Sequence, residues 1–125
     1  MQTLLIIAGG GAAGALARYG MTQLVQSTLG HGFPYGTLAV NVLGCLAAGA
    51  AYGLLDRGPG LGQLWQALLI VGFLGAFTTF SAFSLATLQL LERGALLAAL
   101  ANVLLSVLLS LAACGLGLWV AGRWN

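Results

Sequence analysis

The chain consists mainly of four long apolar stretches, separated by short segments that are charged or rich in turn residues. The stretches run roughly from Thr3 to Gln26, Gly36 to Leu55, Leu64 to Leu91 and Ala95 to Ala121. A helix needs about 20 mostly apolar residues to cross a bilayer, and each stretch reaches that length. The pattern therefore predicts an all-α integral membrane protein, with residues 1–125 forming a single four-helix transmembrane domain.

The composition excludes several classes of protein. Hydrophobic residues make up 60% of the chain and charged residues only 5%, whereas about 25% of residues are charged in an ordinary soluble domain. The net charge is +2 without a basic cluster, which argues against a nucleic-acid partner. Met1 to Ala8 contains no Lys or Arg, so a cleavable signal peptide is not expected. Cys45 and Cys114 lie in apolar runs and are interpreted as packing residues.

Glycines recur at the spacing that lets membrane helices approach closely. Examples are Gly10-x-x-x-Gly14 and Gly49-x-x-x-Gly53. Two interpretations stay open, packing within one subunit and packing between subunits. Four short helices scarcely enclose an aqueous path alone, so a transport function would require an oligomer.

The arginines give no preferred orientation in the membrane. Four spans place both termini on one side, with Arg57 and Arg123, and leave Arg93 and Arg18 for the other side. Because positive charges favour the cytoplasmic side, this balance predicts insertion in both orientations and an antiparallel homodimer.

The middle of the third stretch contains residues that weaken a helix. Gly72 and Gly75 precede the adjacent β-branched residues Thr78 and Thr79. This favours a break at the bilayer midplane, where non-helical backbone marks a functional centre. The alternative is a continuous helix in which hydroxyls bond back to carbonyls one turn earlier.

Beyond the predicted break, aromatic and hydroxyl side chains share one helical face. Phe80, Phe83 and Thr87 follow an i, i+3, i+7 spacing, with Ser84 beside them. Such rings usually pack in a core or face lipid. Interleaved with hydroxyls, their positive edges also suit a small desolvated anion.

Polar residues recur at one-turn spacing in two other stretches. Thr37 and Asn41 are one turn apart, and Asn102, Ser106 and Ser110 repeat every four residues. Hydrogen bonding between helices is one explanation, and a polar stripe along a narrow permeation path is the other.

No Asp, Glu, Lys or His lies at the centre of a stretch. Proton-coupled transporters normally carry such a carboxylate, so a passive path for an anion is favoured. Arg18, near the end of the first stretch, either snorkels to the interface or attracts anions to a vestibule. No nucleophile, acid and base are spaced to act together, and enzymatic activity is not expected.

Several motifs together resemble the bacterial fluoride channel family called Fluc or CrcB over nearly the full chain. They are Gly14-x-x-x-Arg18-Tyr19, Gly36-Thr37-Leu38-x-x-Asn41-x-x-Gly44, Glu92-Arg93-Gly94 and, most specifically, Gly72-Phe73-Leu74-Gly75-x-x-Thr78-Thr79-Phe80-Ser81-x-Phe83-Ser84. The resemblance implies an antiparallel dual-topology dimer in the bacterial inner membrane. Its two pores would export fluoride passively from the cytoplasm and lower fluoride toxicity.

The resemblance also implies roles for individual residues. Asn41 would coordinate fluoride, Phe80 and Phe83 would form an aromatic box, and Ser106 and Ser110 would form a polar track. Further hydroxyl donors to the ion are expected from Thr37, Thr79 and Ser81.

A structural sodium ion is also implied at the dimer centre, held by backbone carbonyls at positions matching Gly75 and Thr78. This assignment agrees with the preference of hard cations for oxygen ligands. The chain departs from the family pattern at Asn102, where some relatives carry an aromatic residue or histidine, and at Ala86, where several carry Glu.

Two other classes fit four short spans. A small multidrug exporter would need an embedded Glu that is missing here. A non-conducting scaffold held by its small-residue faces is the second.

Overall fold

The computed structural model describes residues 1–57 and 61–123, and these are helical throughout apart from short turns, with no strand. Helix α1 spans Gln2–Leu29 and α2 spans Tyr35–Leu55. The third stretch comprises α3 (Leu61–Trp65), a π-helical segment (Gln66–Leu74), α4 (Gly75–Phe77) and α5 (Phe80–Glu92), and α6 spans Leu96–Val120. Four helical lengths are long and apolar enough to cross a membrane, namely Gln2–Leu29, Tyr35–Leu55, Gly62–Glu92 and Leu96–Val120. The predicted all-α fold with four spans is confirmed.

The helices end within a few residues of the predicted boundaries. Helix α1 runs three residues beyond Gln26, where the Ser27 and Thr28 hydroxyls donate to the Leu24 carbonyl at 2.8 and 2.9 Å. These back-bonds let polar side chains remain in the last turn. Gly30 then ends the helix with φ +90°, a backbone conformation that suits glycine.

The glycine motifs pack against other helices of the same chain. A Cβ at Gly14 would overlap the backbone of Phe73, so α1 contacts the π-helical segment directly. A Cβ at Gly49 would meet the Cys114 carbonyl, and one at Gly117 would meet that of Leu46. Close approach of α2 and α6 therefore depends on small residues. Of the two interpretations of these motifs, packing within one subunit is what the structure shows.

Polar contacts join the ends of α2 and α6. The Arg57 guanidinium donates to the Ala121 carbonyl, and Arg123 pairs with Asp56. The Arg123 guanidinium also lies 5.7 Å from the centre of the Tyr52 ring. These contacts occupy both arginines that sequence analysis placed on the side of the termini.

Candidate functional site

Two threonines interrupt the helix between α4 and α5. Thr78 (φ −81°, ψ 153°) and Thr79 (φ −151°, ψ 113°) have extended backbones, which β-branched residues adopt readily. The Thr78 amide and hydroxyl both donate to the Leu74 carbonyl at 3.0 Å. The Thr79 hydroxyl accepts from the Ala82 amide at 3.1 Å and so caps the start of α5.

The Asn41 side chain, on α2, binds both backbone polar groups of Thr79. Its Nδ2 donates to the Thr79 carbonyl at 3.0 Å, and its Oδ1 accepts from the Thr79 amide at 2.7 Å. The Asn41 oxygen thus replaces the acceptor that a continuing helix would have supplied for the Thr79 amide, and the Asn41 nitrogen adds a donor to the Thr79 carbonyl at the start of α5. One N–H of Asn41 is left over after these two bonds.

A groove of about 330 Å³ opens beside this interruption, and it is called the central groove below. Its walls come from α2, from the interruption with α5, and from α6. The lining residues are Asn41, Cys45, Thr78, Thr79, Phe80, Phe83, Ser106, Val107, Ser110 and Leu111. The lining is apolar except for one amide, one thiol and four hydroxyls, and no carboxylate occurs among these residues.

The two phenylalanines at the groove differ sharply in exposure. Phe83 is 9% exposed, whereas Phe80 is 77% exposed. Their ring centres are 5.3 Å apart and the planes are tilted by 49°. Phe83 therefore forms a buried part of the groove wall, whereas the Phe80 side chain projects from the surface of the protein.

The three polar residues of α6 do not share one role. Ser106 and Ser110 line the central groove. Asn102 is 1% exposed and is buried against α5, where its Nδ2 donates to the Thr87 hydroxyl at 2.9 Å. The helical spacing placed all three on one face, but α5 covers the first of them.

A second pocket, of about 320 Å³, lies on the other side of Thr79. Arg18, Thr37 and Ser81 line it, and Thr79 belongs to both its wall and that of the central groove. The Ser81 and Thr79 hydroxyls are 3.1 Å apart. This Arg18 pocket therefore contains three predicted residues that the central groove lacks, whereas Gly75 lines neither.

A third pocket, of about 250 Å³, lies next to the Arg18 pocket. Thr37 lines both, and the third pocket also contains His31, Ala86 and Arg93. The three concave regions are therefore neighbours, with Thr79 shared by the first two and Thr37 by the last two. Cys45, which sequence analysis interpreted only as a packing residue, lines the central groove; it lies one helical turn after Asn41, and that spacing indicated a shared face.

Two carbonyls at the interruption lose the amides that a regular helix would direct at them. In a regular helix the Thr79 amide would donate to the Gly75 carbonyl, and the Ala82 amide to the Thr78 carbonyl. Here the Thr79 amide donates to Asn41, and the Ala82 amide donates to the Thr79 hydroxyl. Carbonyls at a helix end need other partners, and cations are among them. Gly75 is exposed and Thr78 half-buried.

Comparison with known proteins agrees with the family resemblance. The family model described as "CrcB-like protein, Camphor Resistance (CrcB)" matches residues 5–118. The "Fluoride-specific ion channel FluC" of Coxiella burnetii (strain Dugway 5J108-111) is 47% identical over 121 residues, covering 96% of this chain and 97% of the relative. The protein of the same name from Paracoccus denitrificans (strain Pd 1222) is 52% identical over 120 residues, covering 95% of this chain and 94% of the relative.

The protein of that name from Aeromonas salmonicida (strain A449) is 47% identical over 118 residues, covering 94% of each chain. These names describe ion channels and not enzymes, in agreement with the expectation that the chain has no enzymatic activity. With four helices able to cross a membrane, the chain is a multi-pass membrane protein, consistent with the bacterial inner membrane. Since the family match extends over most of its length, the chain belongs to the CrcB family.

Proposed function

We propose that the chain forms a fluoride-selective channel that exports fluoride passively from the bacterial cytoplasm and lowers fluoride toxicity. The observation that carries this proposal is the lining of the central groove, which combines an amide, hydroxyls and phenyl rings without a carboxylate among the lining residues. Uncharged donors stabilise an anion, and the missing carboxylate removes the group that would repel it. Relatives named as fluoride-specific channels, similar over nearly the whole chain, support the same function.

Asn41 would supply a fixed donor to the ion. Both bonds to Thr79 hold its amide in one orientation, and the N–H left over is free for fluoride. A donor held in place needs no rearrangement when the ion arrives. Thr79, Ser106 and Ser110 would add hydroxyl donors, while Phe80 and Phe83 would offer ring edges.

The three neighbouring pockets suggest the route of the ion. Fluoride would enter the third pocket, pass Thr37 into the Arg18 pocket, and reach the central groove past Thr79. Arg18 would raise the local anion concentration before the ion loses water. Selectivity over larger halides would come from a narrow path in which closely spaced donors replace the hydration of a small ion.

A second, antiparallel copy would complete each of two pores. The central groove lies at the surface of the chain, and Phe80 projects beside it with 77% exposure. Two arginines on each side of the membrane allow both orientations, so both copies can come from one gene product. Residues 1–125 would act as one four-helix domain, with the remaining exposed leucines in contact with lipid.

The same interruption fits a structural sodium ion at the centre of this homodimer. The Gly75 and Thr78 carbonyls have lost their helical donors, and both residues are accessible from outside the chain. Backbone oxygens suit a hard cation, and two per copy would give four in the dimer. The ion would cross-link the two interruptions and hold their shape.

Fluoride release from proteoliposomes, followed with an external electrode, tests the function. Vesicles loaded with fluoride should empty when potassium permeability balances the charge, without a proton gradient. Chloride-loaded vesicles are the matched control and should retain chloride. Retention of fluoride would support a non-conducting scaffold protein, and release that requires a proton gradient would support a proton-coupled exporter.

A further inference from the structure

A chain of hydrogen bonds joins the central groove to the buried interface between α5 and α6. The Ser106 hydroxyl donates to Asn102 Oδ1 at 3.3 Å, and Asn102 Nδ2 donates to the Thr87 hydroxyl at 2.9 Å. The Thr87 hydroxyl donates in turn to the Phe83 carbonyl at 2.8 Å. Asn102 is 1% exposed and Ser106 is 7% exposed, so water does not compete for the hydrogen bond between them.

The donor and the acceptor of each hydrogen bond in this series follow from its last bond, between the Thr87 hydroxyl and the Phe83 carbonyl. Thr87 has one hydroxyl proton and gives it to the Phe83 carbonyl, so it can only accept from Asn102. The amide nitrogen of Asn102 must therefore face Thr87, and its oxygen must face Ser106. Ser106 also has a single hydroxyl proton, which it donates to Asn102. Only the lone pairs of the Ser106 oxygen are therefore available to the groove.

An anion in the groove cannot use Ser106 in this arrangement, because lone pairs repel it. The Ser106–Asn102 bond of 3.3 Å is at the long end for a hydroxyl donor and is correspondingly easy to break. We propose that Asn102 is a positioning residue that withholds the Ser106 proton from the empty groove and yields it when fluoride arrives. This inference rests on the proposed channel function.

The half-saturating fluoride concentration of efflux tests the proposal. Asn102→Leu removes the acceptor and frees the Ser106 proton for the groove, so that concentration should fall about two- to fivefold, the effect of one modest hydrogen bond. Thr87→Val, which keeps the side-chain shape, should act in the same direction. Without the Thr87 acceptor, the Asn102 amide can turn and donate to Ser106.

A double-mutant cycle separates this role from a structural one. In a Ser106→Ala background, Asn102→Leu should no longer lower the half-saturating concentration. Thr28→Val removes a hydroxyl that back-bonds in the same way as Thr87 but lies at the end of α1, and it should have no effect. Size-exclusion profiles identify any misfolded variant, and the isosteric Thr87→Val then carries the test.

Two results would overturn the proposal while fluoride conduction stands. One is an unchanged or raised half-saturating concentration in Asn102→Leu and Thr87→Val, and the other is a full shift that persists with Ser106→Ala. A parent protein that does not conduct fluoride would instead reject the proposed function, and this inference with it.

Discussion

The Asn41 amide pairs with the backbone of Thr79 through two hydrogen bonds, of 3.0 and 2.7 Å, across 38 residues of sequence. One side chain of α2 thereby supports the extended backbone between α4 and α5. The same residue lines the central groove, and one N–H of its amide is left over after these two bonds. In the proposed channel, helix geometry and ion binding would therefore be coupled at this position.

Replacing Asn41 should damage both stability and conduction. Asn41→Leu leaves the buried Thr79 amide without a partner, at a cost of about 1–3 kcal/mol, while the Thr79 carbonyl keeps its helical donor at the start of α5. The unfolding temperature in detergent should fall, and fluoride efflux should drop by at least about tenfold, since a donor to the ion is lost as well. An Asn41→Leu protein with unchanged stability would show that the two bonds contribute nothing.

The two phenylalanines should separate conduction from stability. Phe80→Leu and Phe83→Leu should each reduce fluoride efflux by more than tenfold by our estimate, because both lose a ring edge. Only Phe83→Leu should lower thermal stability measurably, since Phe83 is buried and Phe80 is 77% exposed. Phe33→Leu, in the loop before α2, is the matched control. Normal efflux from both groove variants, with dimers intact, would count against the ring-edge role.

Two glycines on α1 should respond oppositely to a methyl group. Gly14→Ala places its Cβ against the Phe73 backbone and should destabilise the fold by about 1–3 kcal/mol. Gly20→Ala meets nothing within 4 Å and should leave stability unchanged or raise it by about 0.5–1 kcal/mol. Thermal unfolding of both proteins in one detergent provides the comparison. Equal effects would disprove close packing of α1 on the π-helical segment.

The charge of Arg18 should matter most at low salt. Arg18→Gln removes the positive charge from the pocket beside Thr37, so fluoride efflux should fall several-fold at about 10 mM ionic strength and less at about 150 mM. Arg18→Lys is the matched control, because it keeps the positive charge at this position and the balance of basic residues across the membrane. Its efflux should be nearly unchanged. A salt-independent loss in Arg18→Gln would indicate a packing role instead.

The balance of arginines should make orientation easy to bias. Arg93→Gln leaves two arginines on the side of the termini against one opposite, so most copies should insert with both termini in the cytoplasm. Arg123→Gln should bias insertion the other way. Each variant alone should conduct poorly and the two expressed together should conduct, as judged by terminal tags and efflux. A parent protein with its C-terminus on one side only would contradict dual topology.

Local chemistry was sufficient to predict the four spans, and it left the course of the third span through Thr78 and Thr79 open. Apolar runs of spanning length require helices in lipid because the backbone must satisfy its own hydrogen bonds. The β-branches of Thr78 and Thr79 favour extended backbone, but the same residues also allowed a continuous helix with hydroxyls bonded back to carbonyls one turn earlier. The π-helical segment Gln66–Leu74 had no such signal, since its wider turn accompanies contact with glycines of α1.

The sequence by itself determined which residue types are available: hydroxyls, the amides of Asn41 and Asn102, phenyl rings, and no carboxylate in the middle of a span. Periodicity also placed Asn102, Ser106 and Ser110 on one face of α6. Only the tertiary structure decided that α5 buries Asn102 while the two serines line the groove. The physical reason is that periodicity defines a face within one helix, whereas the partner of that face depends on how separate helices cross.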